Sequence, residues 1–85
     1  MNINVCFVKE SKPVNLQVTD DMMFAEIAFK YFSKMGIDQN TDQPKFLFNS
    51  KEIRNDCYKT LRELGIKNMA RIDVVIGKDV IGAFL

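Results

Sequence analysis

Apolar and polar residues alternate near the start of the chain. Residues 3–8 and residues 14–19 each place an apolar side chain at every second position, which is the period of a strand with one buried face. Residues 9–13 separate the two segments and end in Pro13, which predicts a turn and a break in the hydrogen-bonded ladder at the proline. The pattern therefore predicts a hairpin.

A helical period replaces the alternation over residues 20–35. Its apolar residues recur at i, i+3, i+4, i+7, i+8 and i+11, as Phe24, Ile27, Ala28, Tyr31, Phe32 and Met35. Such a stripe packs on a sheet, because a helix of about four turns cannot bury six apolar groups alone. We expect Asp20 or Asp21 to cap the first amides and Gly36 to end the helix.

The alternating period returns after the helix. Residues 37–44 are polar and predict a loop. Residues 45–49 then predict a third strand, with Phe46 and Phe48 on one face and Leu47 on the other.

Shorter elements are predicted in the last third of the chain. Residues 49–50 favour a tight turn into a short strand at residues 51–54. Thr60 and Glu63 have the spacing of a capping box, which predicts one helical turn. Residues 71–76 alternate again and predict the last strand.

The order of these elements predicts the fold class. The predicted order is a hairpin, a helix, a strand pair, a helical turn and a final strand. These elements can be arranged without a knot if the last strand lies beside the first. This gives an α+β protein with a mixed sheet of four to five strands wrapped over one long helix, the β-grasp architecture.

A family resemblance lies in residues 45–66, KFLFNSKEIRNDCYKTLRELGI. This segment contains, in order, a basic residue, F-L-F, a turn, an isoleucine, Asn55 and T-L-x-E-L-G-I. This pattern resembles the ubiquitin-like family, and its SUMO branch more closely than ubiquitin itself. The resemblance implies a ubiquitin-like β-grasp domain over residues 1–77, followed by an apolar tail over residues 78–85.

The tail departs from the pattern of the ubiquitin-like modifiers, which end in a Gly-Gly pair that is joined to lysines. The matching positions lie close to Val80 and Ile81, and the nearest glycines, Gly77 and Gly82, are isolated. By this resemblance, Ile81 would not fit the narrow clefts of the processing enzymes. We therefore expect a protein that is not conjugated, and the alternative is a modifier precursor that is matured at Gly82.

The resemblance to ubiquitin implies a recognition patch on the sheet face away from the helix. Leu47 and Val75 match two members of that patch, and Cys6 or Val8 would complete it. Period-two alternation places these side chains opposite the inward-facing ones, which agrees with the resemblance. The alternative is that they are scattered surface residues without a function.

The resemblance to SUMO implies a second surface, a groove between the second strand and the helix. Ile27, Tyr31 and Lys34 match groove positions, where an extended peptide adds a strand to the sheet edge at Gln17 and Thr19. Ile27 and Tyr31 also belong to the core stripe, and we favour that packing role for both.

Two apolar features are not explained by the resemblance. Met22 and Phe29 lie at helical angles away from the core stripe, and we expect either a docked neighbour or a loop to cover them. The tail carries four apolar side chains, Val80, Ile81, Phe84 and Leu85. We favour their insertion into a protein partner over their packing on the domain itself.

Composition removes several classes of function. The 85 residues carry 12 basic and 11 acidic side chains, a net charge of +1, without the basic stripe of a nucleic-acid binder. There is no histidine, no phosphate-binding glycine loop and no metal-ligand spacing. Cys6 and Cys57 are expected to be free thiols. We therefore expect no enzyme activity, cofactor, metal or small-molecule substrate.

The same sequence points to a protein that works through protein partners. It has no run of eighteen apolar residues and no signal-peptide pattern at its start, so we expect no membrane insertion and an intracellular location, cytoplasmic or nuclear. The predicted role is a protein–protein interaction module or a fixed subunit of a larger assembly. A regulator that competes with ubiquitin or SUMO for their receptors is a third hypothesis.

Overall fold

Five strands form one mixed sheet, and a helix of 12 residues packs on one of its faces. The computed structural model describes residues 1–77. The strands are β1 (Asn2–Lys9), β2 (Lys12–Thr19), β3 (Pro44–Phe48), β4 (Lys51–Ile53) and β5 (Ala70–Ile76). The helices are α1 (Phe24–Met35), α2 (Gln39–Asp42) and α3 (Leu61–Leu64).

The strand order β2-β1-β5-β3-β4 confirms the predicted architecture. β5 lies beside β1 and runs parallel to it, whereas the other neighbouring strands are antiparallel. The α+β prediction is therefore correct, with five strands and with two short helices in addition to the long one.

Two-residue turns close both hairpins. Glu10 and Ser11 join β1 to β2, while Asn49 and Ser50 join β3 to β4, and all four residues have positive φ. Positive φ at both central positions is the turn geometry that matches the twist of a hairpin.

The prediction that Pro13 breaks the ladder is wrong. Pro13 pairs with Val8 inside β2, the edge strand of the sheet. In an antiparallel hairpin closed by two residues, the flanking pair Lys9 and Lys12 exchanges hydrogen bonds and the next pair does not. The missing N–H of Pro13 therefore lies on the open edge, where no donor is required.

Aromatic rings hold α1 on the sheet. Tyr31 stacks on Phe7 of β1 at a centroid distance of 4.6 Å. The next residue, Phe32, stacks on Phe46 of β3 at 5.4 Å, and Phe24 meets the edge of Phe46 at 5.1 Å. Because consecutive helical residues point about 100° apart, these contacts fix the rotation of α1: its Tyr31 side faces β1 and its Phe32 side faces β3.

Within residues 1–77, the buried hydroxyl of Tyr31 has no hydrogen-bond partner. The whole side chain is buried among the rings. Burial in this apolar environment raises the pKa of Tyr31 above its ordinary value of 10.0, because the charged phenolate is poorly solvated there.

The start of α1 differs from the prediction. The helix begins at Phe24, and its N-cap residue Met23 makes no side-chain capping bond. Instead, the amides of Phe24 and Ala25 donate to the backbone carbonyls of Lys59 and Cys57, each at 2.9 Å. Backbone carbonyls from a distant loop therefore take the place of the predicted capping by Asp20 or Asp21. At the other end Gly36 adopts φ 68°, as predicted.

Asp20 joins the end of β2 to α3. Its carboxylate accepts from the Arg62 guanidinium at 3.0 and 3.3 Å. Its carbonyl accepts from the Arg62 amide at 3.0 Å. The bond from the Arg62 side chain is the largest of the effects that lower the pKa of Asp20.

The capping box at α3 is confirmed, and α2 was not predicted. The Thr60 hydroxyl accepts from the Glu63 amide at 3.1 Å, and the Glu63 carboxylate accepts from the Thr60 amide at 3.0 Å. Within the predicted loop 37–44, Asp38 is the N-cap of a four-residue helix, and its side chain accepts from the amides of Asn40 and Thr41. A helix of one turn leaves no apolar period in the sequence.

Replacing Arg62 tests the contribution of its ion pair with Asp20 to stability. A carboxylate whose pKa is lowered on folding contributes stability above its ordinary pKa of 3.8 and loses it as pH falls through the lowered value. We expect Arg62→Met to lower the urea midpoint at pH 7 and to have a smaller effect at pH 2.5. Arg54→Met is the control, because its ion pair with Asp56 is exposed on both sides. An Arg62 effect that is equal at both pH values would contradict the account.

Replacing Tyr31 tests the unpaired hydroxyl. We expect Tyr31→Phe to stabilise the protein at pH 7 by about 1 kcal/mol, the low end of the penalty for a buried polar group without a partner. Because the folded pKa is raised, the wild type should lose stability above about pH 10, when the unfolded chain ionises first. Tyr31→Phe should reduce that alkaline loss in urea titrations, whereas Tyr58→Phe, in an exposed ring, should not. Destabilisation by Tyr31→Phe at pH 7 would show that the hydroxyl has a partner.

Candidate protein-binding face

Three strands bring half-buried apolar side chains together on the outer face of the sheet. β5 lies between β1 and β3, so that Asp73 is opposite Val8 on one side and opposite Leu47 on the other. Val75 follows two residues after Asp73, on the same face, and is diagonal to Leu47. Val8, Leu47 and Val75, which surround Asp73, are called the outer patch below.

An ion pair lies along β5 on this face. The Arg71 guanidinium donates to the Asp73 carboxylate at 3.0 Å. The Arg71 side chain is 67% exposed and the Asp73 side chain is 49% exposed. The centre of the outer patch is therefore charged, with a donor and an acceptor that a partner can reach.

Cys6 lies one row away from the outer patch. It pairs with Arg71 across β1 and β5, and Asn15 is its neighbour on β2. The thiol is free and half-buried. The register thus favours Val8 over Cys6 as the residue that completes the predicted patch, and the participation of Cys6 remains a prediction.

The predicted groove between β2 and α1 has fewer exposed residues than expected. Ile27 and Tyr31 are fully buried, so in this structure they pack in the core and present no surface to a peptide. Lys34 is exposed on the helix, and Gln17 is exposed on the edge strand. The packing alternative for Ile27 and Tyr31 agrees with this burial.

Met22 and Phe29 do not form one helical surface. Met22 precedes the helix and packs, partly buried, against the core. Phe29 lies on α1 with 63% of its surface exposed. The expected exposed aromatic residue on the helix is therefore Phe29 alone. Met22 was expected on the surface because the helix was predicted to start too early.

The remaining predicted contact residues, Val80, Ile81, Phe84 and Leu85, lie outside the described residues, as does Gly82. Their roles stay predictions. The last described residue, Gly77, donates its amide to the Gln43 carbonyl at 2.8 Å.

Besides Met1, three exposed apolar side chains were not predicted. Tyr58 is 74% exposed, and Met69 and Met23 are also on the surface. Tyr58 and Met23 lie in irregular segments, where no periodic pattern indicates which side chains are buried. Met69 has a φ of 69° in the turn before β5, and no turn residue such as glycine marks that position in the sequence.

Residues 1–77 contain neither a cluster of metal-ligating side chains nor a helix suited to cross a bilayer. No group of three or more metal-ligating side chains occurs in that part of the chain. None of the helices described there has the length and apolar character needed to cross a bilayer.

Solved structures share this fold at low sequence identity. The ubiquitin of Caldiarchaeum subterraneum superposes with a TM-score of 0.76 at 13% identity, over 89% of this chain and 94% of that one. The ubiquitin-like domain of yeast Ddi1 gives 0.75 at 16% identity, over 86% of each chain. The N-terminal ubiquitin-like domain in the 4931431F19Rik protein gives 0.73 at 13% identity, over 88% of this chain and 74% of that one.

Sequence comparison identifies the family at the level of a domain. No individual curated protein matches the chain. The family model described as "Ubiquitin-2 like Rad60 SUMO-like" matches residues 1–76, almost the whole described domain. The match confirms the resemblance to ubiquitin-like proteins of the SUMO branch. The chain belongs to this family of Rad60-type SUMO-like ubiquitin-like domains.

Proposed function

We propose that the protein is a ubiquitin-like interaction module that is not conjugated to targets and that binds a protein partner, as part of a larger intracellular assembly, through the outer patch. The observation that carries the proposal is the position of Asp73 between Val8 and Leu47, with Val75 diagonal to Leu47. Three strands thereby contribute to one continuous surface.

The chemistry of the patch suits a protein partner. Apolar side chains that are already half-buried lose little conformational freedom on binding, and burying them further removes apolar area from water. The exposed Arg71–Asp73 pair supplies charged groups beside them. Apolar contact surface with a few polar groups is the usual anatomy of a protein interface.

The proposal involves no chemical reaction. Ubiquitin-like domains of this family are generally non-catalytic modules, which supports a role in binding. Val80 and Ile81 lie close to the positions that match the Gly-Gly pair of the modifiers, which supports a role without conjugation.

Leu47→Asp and Val75→Asp test the proposal. Each places a carboxylate beside Asp73 on the outer patch, so that burial against a partner would require removing two like charges from water. We expect each variant to reduce affinity by tenfold or more. A tagged copy, expressed at the endogenous level, should then leave the native assembly and elute at the size of the isolated domain.

Tyr58→Asp is the control, because it also replaces an apolar side chain by a carboxylate, but at an exposed position in the loop before α3, outside the sheet. It should remain in the assembly. Circular dichroism and thermal unfolding must show that all three variants are folded. Folded Leu47→Asp and Val75→Asp variants that stay in the assembly as fully as the wild type would refute the use of this face.

A further inference from the structure

The sheet of residues 1–77 has two edges that differ in their protection against pairing with another chain. β4, at one edge, has three residues, and two of them, Lys51 and Glu52, carry exposed charges. Short length and charge are the features by which natural sheets keep an edge from pairing. β2, at the other edge, has eight residues, and residues 13–19, PVNLQVT, carry no charged side chain. Along β2 only Pro13 opposes pairing, and it lies near one end.

The hydrogen bonds of β1 show which backbone groups of β2 face the open edge. Asn4 is opposite Gln17, yet its backbone amide donates to the Asn68 side chain, outside β2, at 2.8 Å. Asn4 and Gln17 are therefore a pair that exchanges no hydrogen bonds, and the N–H and C=O of Gln17 point away from β1. The same alternation turns the N–H and C=O groups of Asn15 and Thr19 towards the open edge.

The backbone groups on this edge form a defined pattern of donors and acceptors. Asn15 and Gln17 each offer an N–H and a C=O that have no partner within residues 1–77. Pro13 offers a C=O but has no N–H. Thr19 offers an N–H, whereas its C=O already accepts from the Met22 amide at 3.1 Å.

A second copy of β2, running antiparallel, matches this pattern in one register. If Leu16 lies on a twofold axis, Asn15 is opposite Gln17 of the second copy, and such a pair exchanges two hydrogen bonds. Pro13 is then opposite Thr19 of the second copy. The N–H that proline lacks therefore falls opposite the one carbonyl that already has a donor.

Apolar side chains meet in the same register. Leu16 and Val14 are half-buried, on the face of β2 that lies towards α1. On the twofold axis Leu16 is opposite Leu16 of the second copy, and Val14 is opposite Val18. Residues directly opposite in pairs of this kind have their side chains in close contact, so dimerisation removes apolar area from water.

Opposite charges meet at both ends of the paired strands. The register places Lys12, which is exposed, opposite Asp20 of the second copy, and exposed Asp21 follows it. Twofold symmetry repeats this contact at the other end. Complementary charges at the two ends favour the antiparallel orientation and this register.

We propose that the chain forms a homodimer in which the β2 strands of two copies pair antiparallel about Leu16, joining two five-stranded sheets into one. Dimerisation leaves the outer patch of each copy free, because β1, β3 and β5 form that patch. The two β5 strands are then five strand spacings apart, about 24 Å. The dimer therefore presents two outer patches on one face.

Gln17→Pro tests the pairing by sedimentation equilibrium of the chain of residues 1–85 over a concentration series. The wild type should show a reversible equilibrium between monomer and dimer. Like Pro13, a proline at position 17 lacks only an N–H that β1 does not use, so the domain should fold. The dimer loses two hydrogen bonds, one from each copy, and we expect its Kd to rise at least tenfold.

Gln17→Thr is the matched control, because it also removes the Gln17 side chain but keeps the backbone N–H. It should dimerise as tightly as the wild type, and thermal unfolding must show that both variants are folded. A wild type that stays monomeric at millimolar concentration would overturn the proposal, even if its β2 edge binds an extended peptide of another protein. A folded Gln17→Pro variant that dimerises as tightly as the wild type would overturn it as well.

Nuclear magnetic resonance on a mixture of labelled and unlabelled chains tests the register. Antiparallel pairs that exchange no hydrogen bonds bring their Cα atoms closest together. We expect intermolecular nuclear Overhauser effects between the α protons of Val14 and Val18, and between those of Leu16 in the two copies. Intermolecular effects that connect Leu47 and Val75 instead would show that the copies meet through the outer patch, which contradicts pairing through β2.

Discussion

The fold depends on two ring stacks that two adjacent residues of α1 make with the sheet. Tyr31 rests on Phe7 and Phe32 rests on Phe46, so one helical turn is attached to β1 and to β3 at once. These strands are not neighbours, because β5 lies between them. The helix therefore spans the centre of the sheet, and its rotation cannot change without breaking one of the two stacks. The Tyr31 hydroxyl is buried without a hydrogen-bond partner among residues 1–77, and this is the cost of using tyrosine as one of these rings.

The candidate binding face is the reverse side of the same arrangement. Strand alternation requires that side chains between the core positions of β1, β3 and β5 point away from α1. Because β5 is inserted between the other two strands, Val8 and Leu47 come to flank Asp73 even though they are far apart in the chain. The pairing of β5 with β1 and with β3 thus sets the register in which the apolar residues of the outer patch meet. The proposed binding at this face requires only a partner that covers the patch.

Much of the fold was predictable because it is encoded in local periods. The alternation of β1, the glycine that ends α1 and the capping box at Thr60 were all readable, and so was the outward direction of Leu47 and Val75. The start of α1 was not, because Phe24 and Ala25 bond to carbonyls more than thirty residues away along the chain. The prediction that Pro13 breaks the ladder was wrong because a proline is tolerated at this position only if β2 is an edge strand. The charge at the centre of the outer patch was missed because Asp73 comes to lie between Val8 and Leu47 only through the register of three strands.

The central claim is that the protein acts by non-covalent docking as an intact ubiquitin-like domain. It is tested most directly by comparing the size of the endogenous protein under native and denaturing conditions, with mass spectrometry of its C-terminus. The account predicts a large native assembly that falls apart under denaturing conditions to one species, whose sequence continues past Gly82. A ladder of larger species that survives denaturation, with isopeptide bonds from Gly82 to lysines of other proteins, would contradict it.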